Sequence, residues 1–201
     1  MQQRRVRFSP IACAVLLLAG TAALAPTEGL GQDDATPSFE ASLLEAIREQ
    51  VDDAHFDRCG AAPKIVLNEV CSVGTACDPD ARVADFVEVY NPGARALELN
   101  CYVLANDMAQ PFVPIGRIAP HAVAAWSQAE LRFRLAKNGD RVRLYRMHVE
   151  DGQPRLTLID LVELADFRAV YTRVPDGGAW QTLSVREAEL GVPSSFAKPN
   201  S

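Results

Sequence analysis

The chain has 201 residues, of which 48% are hydrophobic and 23% are charged, and its formal net charge at pH 7 is −6. These values are ordinary for a soluble globular protein, so they argue against a collagenous, a wholly disordered or a polytopic membrane chain. The acidic balance also argues against a dedicated nucleic-acid-binding protein. The length suits one domain with appendages.

Residues 1–25 have the three-part layout of a secretory signal peptide. Arg4, Arg5 and Arg7 are followed by an apolar stretch from Ile11 to Leu18 and then by small residues up to Ala25. The apolar stretch is short for a bilayer span, so we predict a secreted or periplasmic protein and leave the cleavage site open. Without the three arginines and the one glutamate that precede Asp33, the net charge falls from −6 to −8.

Four cysteines remain after the signal, namely Cys59, Cys71, Cys77 and Cys101. In an exported protein an even number indicates two disulfides, and four cysteines allow three connectivities. We favour Cys71 with Cys77, which closes a short loop, and Cys59 with Cys101, which ties the start of the domain to a strand. A zinc site is the weaker interpretation because no CxxC pair is present.

The next segments predict a linker and a helix. Residues 26–37 are polar and without periodicity, as in a flexible linker. Ser38 is a candidate N-cap, and Phe39, Leu43, Ile47 and Val51 recur at four-residue steps. This pattern predicts an amphipathic helix of about four turns within a helical appendage at 38–63. We expect its apolar stripe to pack on its own domain, and docking to a partner is the alternative.

From Lys64 onward the hydrophobic pattern changes to a two-residue period. Turn signals such as Asn91-Pro92-Gly93, Asn138-Gly139 and Asp151-Gly152 separate short runs rich in branched and aromatic residues. These runs span 65–70, 86–90, 97–104, 123–126, 131–135, 142–149 and 156–164. Such spacing predicts an all-β domain at 64–201, an immunoglobulin-like antiparallel β-sandwich.

Several segments, read in order, resemble the lamin-tail domain, a family that includes secreted bacterial proteins. The most specific are Asn68-Glu69-Val70, the turn Glu88-Val89-Tyr90-Asn91-Pro92-Gly93, and Arg173-Val174-Pro175-Asp176-Gly177. Supporting segments lie at 97–104, 133–145 and 160–162, with Trp180 and Pro199-Asn200 near the end. The resemblance implies an immunoglobulin-like sandwich with a scaffold or adhesion role.

The departures from that family lie in one strand and one loop. Cys101 and Tyr102 stand where the family usually has Gly and Trp, and two cysteines occur in the connection 71–84. Tyr102 can fill a similar volume if its hydroxyl finds a partner. We expect Asn68 and Glu69 to be structural, with Arg173 or a neighbouring backbone group as their hydrogen-bonding partner.

No motif of catalysis accompanies the three histidines, His55, His121 and His148. A nucleophile elbow, an HExxH pair and a phosphate-binding glycine loop are all missing from the sequence, so we predict a protein that is not an enzyme and has no cofactor. Asp78, Asp80, Asp85 and Glu88 offer oxygen ligands for calcium. A solvated acidic loop is the favoured interpretation, and we predict no metal.

A basic segment stands out against the acidic chain. Residues 131–146 contain six cations and one anion, Asp140, which gives a local charge of +5; the cations are Arg132, Arg134, Lys137, Arg141, Arg143 and Arg146. Alternation with apolar residues predicts a hairpin that turns at Asn138-Gly139 and carries arginines on its outer face. Such a patch could bind an anionic partner. The alternatives are an edge that resists aggregation, or charges neutralised by the chain's own acidic helix.

These observations favour a non-catalytic exported interaction module that binds a protein or a cell-envelope component and no small-molecule substrate. Binding of extracellular nucleic acid or an anionic glycan through the basic hairpin is the alternative. An accessory domain of a hydrolase is a third hypothesis, which rests on the family resemblance alone.

Overall fold

The computed structural model describes residues 37–60, 64–72, 85–136, 139–165 and 169–184. All of them belong to one compact unit that begins at Thr36. The predicted signal peptide, nearly all of the linker, and Cys77 lie outside the described residues. None of the helices in the described part of the chain has the length and apolarity to cross a bilayer.

Two short helices open the described chain. Helix α1 (Phe39–Arg48) begins at Ser38, whose hydroxyl accepts a hydrogen bond from Ala41 N at 3.2 Å. Helix α2 (Asp53–Arg58) begins at Asp52, whose carboxylate accepts from His55 N at 2.9 Å. The predicted single helix of four turns is wrong, because the chain leaves the first helix and Asp52 caps a second one.

The strands follow in the order β1 (Val66–Cys71), β2 (Phe86–Tyr90), β3 (Leu97–Glu98), β4 (Tyr102–Ala105), β5 (Pro111–Phe112), β6 (Arg117–Ile118), β7 (Val123–Ser127), β8 (Asp140–Glu150), β9 (Gln153–Leu164), β10 (Ala169–Val174) and β11 (Ala179–Ser184). A 3-10 turn at Leu99–Cys101 separates β3 from β4, and helix α3 (Gln128–Leu131) follows β7. The predicted strand at 97–104 is therefore broken in two.

The strands form two main sheets in which every pairing is antiparallel. The first has the order β11-β10-β1-β2-β7, and the second has the order β5-β4-β8-β9. A short pair, β3 with β6, accompanies them. The prediction of a mainly antiparallel β-protein is confirmed.

The main core contains side chains from both sheets. Leu67 and Val89 of the first sheet share a buried cluster with Leu104 and Leu144 of the second. Tyr102 lies fully buried in the same cluster. Burial raises the pKa of its hydroxyl, an effect that the charge of Arg146 partly offsets. Burial of apolar surface between two sheets is what stabilises a sandwich.

A second core joins the helices to the four-stranded sheet. Leu43, Ile47 and Phe56 of the helices pack with Val103 and Tyr145 of that sheet in a cluster distinct from the first. The apolar stripe of the helices therefore packs on its own domain, as the sequence led us to expect. Cys59 and Cys101 form a disulfide that ties the end of α2 to the second sheet, with a Cα separation of 5.2 Å.

The predicted strand at 131–135 does not form. Ser127 and Glu130 make a reciprocal capping box that begins α3, and Arg132 ends that helix in the left-handed region at φ 61°. Leu131 and Phe133 are nevertheless buried, because this loop places them in the main core. The prediction of a basic hairpin at 131–146 is therefore wrong, because 131–135 forms no strand and β8 pairs with β4 and with β9 instead.

Candidate functional site

A groove of about 810 Å³ lies where the two sheets and the helical segment meet. Its walls come from the chain that links α1 to α2, from β5 and the residues after it, and from β7 with α3. β5 and β7 are the last strands of their respective sheets within the described chain. Edge strands have backbone N–H and C=O groups that can pair with an added strand.

Two aromatic side chains form the floor of this groove. The rings of Phe112 (β5) and Trp126 (β7) meet edge to face with their centroids 5.6 Å apart. Both pack against the main core while remaining partly exposed. The side-chain amide of Gln50 donates to Pro111 O at 3.3 Å, which ties the helical segment to β5. Core packing thus holds both rings, and the Gln50 hydrogen bond holds the strand that carries Phe112.

The rim combines an exposed apolar side chain with charged ones. Ile115 is 89% exposed and lies in the groove lining. The charged residues Glu49, Glu130 and Arg132 also line the groove. Glu130 Oε2 accepts hydrogen bonds from Ser127 N at 2.8 Å and Ser127 Oγ at 2.7 Å, so its carboxylate is held in place. An apolar floor with a fixed polar rim is the usual anatomy of a binding site.

His55 joins the groove to the disulfide. Its Nε2 donates to Asn100 O at 2.6 Å, and both residues line the groove. A nitrogen of His55 and the sulfur atoms of Cys59 and Cys101 all lie within 4.8 Å of one another. Sequence reasoning missed this cluster, although His55 precedes Cys59 by four residues and one turn of helix places such residues on one face.

The cations of the predicted patch are distributed among several environments. Arg141 and Arg143 both make ion pairs with Asp107, at 2.9 and 2.7 Å. Burial of Asp107 by itself raises its carboxyl pKa, but hydrogen bonds and charges from Arg143 and Arg141 outweigh burial and hold the pKa below its usual value. Two of the six cations thus share one carboxylate within the molecule.

The remaining cations of the predicted patch lie apart from Arg141 and Arg143. Arg132 is on the groove rim, and Arg146 lines a separate cavity of about 300 Å³ with Lys64. With the Gln128 amide oriented to satisfy its neighbours, its oxygen accepts from Arg134 Nε at 3.2 Å. Lys137 lies outside the described residues. Among the described residues, no common hairpin face presents these cations, since 131–135 forms no strand.

Asn68 and Glu69 belong to a buried polar cluster of the first sheet. A bulge in β1 between Leu67 and Glu69 leaves Asn68 as the extra residue. Its amide donates to Glu88 Oε1 at 2.8 Å and to Asp176 Oδ1 at 2.9 Å, and its oxygen accepts from Gly177 N. Glu69 accepts from the Thr172 hydroxyl at 3.1 Å.

Arg173, one of the two kinds of partner expected for those residues, makes further contacts. Its guanidinium donates to Leu67 O at 2.9 Å, makes an ion pair with Asp160 at 3.0 Å and lies over the Trp180 ring at 4.4 Å. Arg173 thereby joins β10 to β1 and β9. Asn68, Glu69 and Arg173 are therefore hydrogen-bonded to other parts of this chain.

The other candidate residues are placed as follows. His121 adopts φ 52° in a turn, with its Nδ1 3.5 Å from the Tyr90 hydroxyl, and His148 lies in β8. Cys71 is disulfide-bonded, and its predicted partner Cys77 lies outside the described residues, so that pairing stays a prediction. Of the acidic loop, Asp78 and Asp80 lie outside the described residues, and Glu88 is fully buried.

Comparison of the chain with protein-family models, with curated proteins and with solved structures finds no match. The groove is therefore interpreted from its own geometry. It offers an aromatic floor, two strand edges and a rim with two carboxylates and one guanidinium.

Proposed function

We propose that this chain is a non-catalytic, exported binding module that holds an extended segment of a partner protein in the groove between β5 and β7. The observation that carries the proposal is the Phe112–Trp126 floor beside the exposed side chain of Ile115. Large exposed apolar side chains beside aromatic ones are the usual anchors of protein interfaces.

An extended segment fits this groove better than a compact ligand does. β7, a five-residue edge strand, flanks the floor, and an added strand forms main-chain hydrogen bonds with such an edge. β5 contributes little to such pairing, because Pro111 has no N–H and its carbonyl already accepts from Gln50. Glu49 and Glu130 on the rim favour a partner with a basic side chain next to its apolar anchor. The proposed partner is therefore a protein segment with one aliphatic or aromatic residue beside lysine or arginine.

Export is supported by two features of the chain. The first 25 residues have the layout of a signal peptide, and the Cys59–Cys101 disulfide suits an oxidising compartment. The order of the lamin-tail-like segments supports a sandwich of immunoglobulin type and a scaffold or adhesion role. The hydrolase and polyanion hypotheses have no comparable support in the groove.

Selection from a displayed library of random peptides tests the proposal. We expect the protein to enrich peptides with an apolar residue beside a basic one, and their addition to shift the fluorescence of Trp126. Ile115→Arg should weaken binding of a selected peptide by about tenfold or more, because it removes an anchor and places a like charge beside the peptide's cation.

Met108→Arg is the matched control. Met108 is 75% exposed and is not among the residues that line the groove. This variant should bind the selected peptides as the parent chain does. Enrichment of no peptide, or equal weakening by both substitutions, would overturn the proposal.

A further inference from the structure

His55, Cys59 and Cys101 place an imidazole and two sulfur atoms in one cluster. One ring nitrogen and both Sγ atoms lie within 4.8 Å of one another. His55 is in α2, and Cys59 caps the end of the same helix. Cys101 reaches the cluster from the 3-10 turn of the second sheet. Three side chains of the two types that most often bind zinc in proteins are thus brought together from two separate elements.

The sulfur atoms are not metal ligands while they form a disulfide. Each becomes one as a thiolate, and thiolate with imidazole is the donor set that Zn²⁺ prefers. Two cysteines and one histidine leave the fourth position of a tetrahedral ion to water. The oxidation state of the two cysteines therefore decides whether this cluster can bind an ion.

We propose that reduction of the Cys59–Cys101 disulfide converts this cluster into a zinc site with Cys59, Cys101 and His55 as ligands. A dithiol reductant supplies two electrons and two protons and leaves as its own disulfide. Zn²⁺ then displaces one proton from each thiol and binds the lone pair of neutral His55. An oxidised dithiol, that is a small-molecule disulfide, takes two electrons from the thiolates by exchange and leaves as its dithiol, which reforms the Cys59–Cys101 disulfide and releases the ion.

The hydrogen bond that His55 makes fixes its tautomer. Asn100 O can only accept, so His55 Nε2 carries the proton of that 2.6 Å hydrogen bond, and Nδ1 carries the lone pair. A ring N–H donated to a backbone carbonyl is the usual second contact of a metal-bound histidine. Arg58, whose NH2 group lies 3.3 Å from Nδ1, has a side chain that is 64% exposed and is free to turn away.

The scaffold holds the ligands together without the disulfide. Phe56 of α2 is fully buried and packs with Val103 and Tyr145 of the second sheet. Reduction therefore leaves α2 docked by its apolar contacts. His55 and Asn100 also line the groove, which provides a route for the ion from solvent.

Zinc binding by the full chain tests the proposal. The protein is reduced with a phosphine, freed of reductant without air, and titrated with Zn²⁺ against a chromophoric chelator; Co²⁺ serves as an optical probe. We expect one zinc per reduced chain that the oxidised protein does not bind, and thiolate-to-cobalt absorption in the reduced form only.

Single substitutions identify the ligands. Cys101→Ser should abolish the site, and His55→Gln should weaken zinc affinity by more than about tenfold. Cys71→Ala should leave it unchanged, since Cys71 is not a member of this cluster. Circular dichroism of the reduced protein reports whether the fold persists.

Three results would each overturn the proposal. They are a reduced chain that binds no zinc, one whose affinity is the same in His55→Gln, and one that loses its fold on reduction. Failure here leaves the groove proposal untouched, because peptide binding is measured on the oxidised protein.

Discussion

The guanidinium of Arg143 lies over the ring of Phe39, 4.3 Å from its centre, and the same side chain makes an ion pair with Asp107 at 2.7 Å. Phe39 is the first residue of α1. The sequence predicted that Arg143 belongs to an anion-binding surface. In the structure it instead holds the start of α1 against β8. Only 8% of Arg143 is exposed, so this contact is largely shielded from water.

A double-mutant cycle measures that contact. We expect Arg143→Met and Phe39→Leu each to lower the free energy of unfolding, with a coupling energy of about 1 kcal/mol because a shielded cation–π pair is lost. Urea denaturation provides the four values. The exposed pair of Arg48 and Asp53 is the matched control, where Arg48→Met should cost less than about 1 kcal/mol. Strict additivity of the first two substitutions would contradict the assignment.

The lowered pKa of Asp107 predicts a pH dependence of stability. A carboxyl whose folded-state pKa is depressed stabilises the fold above its unfolded-state value of about 3.9, and the contribution is lost as pH falls through the folded-state pKa. Asp107→Asn lacks that contribution. We expect the stability difference between the parent chain and Asp107→Asn to be largest at neutral pH and to shrink below about pH 4. A difference that is constant with pH would refute the coupling to Arg141 and Arg143.

Asn68 is predicted to be a structural residue. Asn68→Ala removes its bonds to Glu88, Asp176 and the backbone of Gly177, and leaves buried polar groups with fewer partners. We expect the free energy of unfolding to fall by about 2–3 kcal/mol. Gln153→Ala, at an exposed position of β9, should change it by less than about 0.5 kcal/mol. Equal effects of the two substitutions in thermal unfolding would count against this role.

Two glycines with similar backbone angles provide a matched pair. Gly177 has φ +70°, and a Cβ there would lie 3.0 Å from Tyr90 Cδ1, whereas Gly152 has φ +72° and no atom within 4 Å of such a Cβ. Gly152→Ala should cost about 1 kcal/mol from backbone strain alone. Gly177→Ala should cost more, because the Tyr90 ring has to move as well. Identical unfolding midpoints for the two variants would show that the tyrosine contact has no effect.

The sequence predicted the local elements well wherever one physical signal dominated. Two-residue alternation marked β2, β7, β8 and β9, and Asp151-Gly152 supplied the residues with positive φ that join β8 to β9. The same alternation misled at 131–135, where the buried Leu131 and Phe133 belong to a helix end and a loop. An alternating pattern shows which side chains are apolar. A loop that enters the core can show the same pattern as a strand.

The groove and the zinc-type cluster could not be read from the sequence in this way. Phe112 and Trp126 are fourteen residues apart and meet only because their strands end different sheets at one edge. His55 and Cys59 had a recognisable four-residue spacing, but the third member, Cys101, is 42 residues beyond Cys59. The spacing of residues along the chain does not show which distant side chains come into contact.

By itself, the sequence determined an acidic, mainly antiparallel β-protein, the N-cap of its first helix and the residues of its tight turns, because each of these depends on neighbours a few positions away. The tertiary structure alone decided that Arg143 stabilises the docking of α1, and that Ile115 stands beside an aromatic floor. Those relationships arise from burial between elements that are distant along the chain, where the largest favourable free energies of folding are gained.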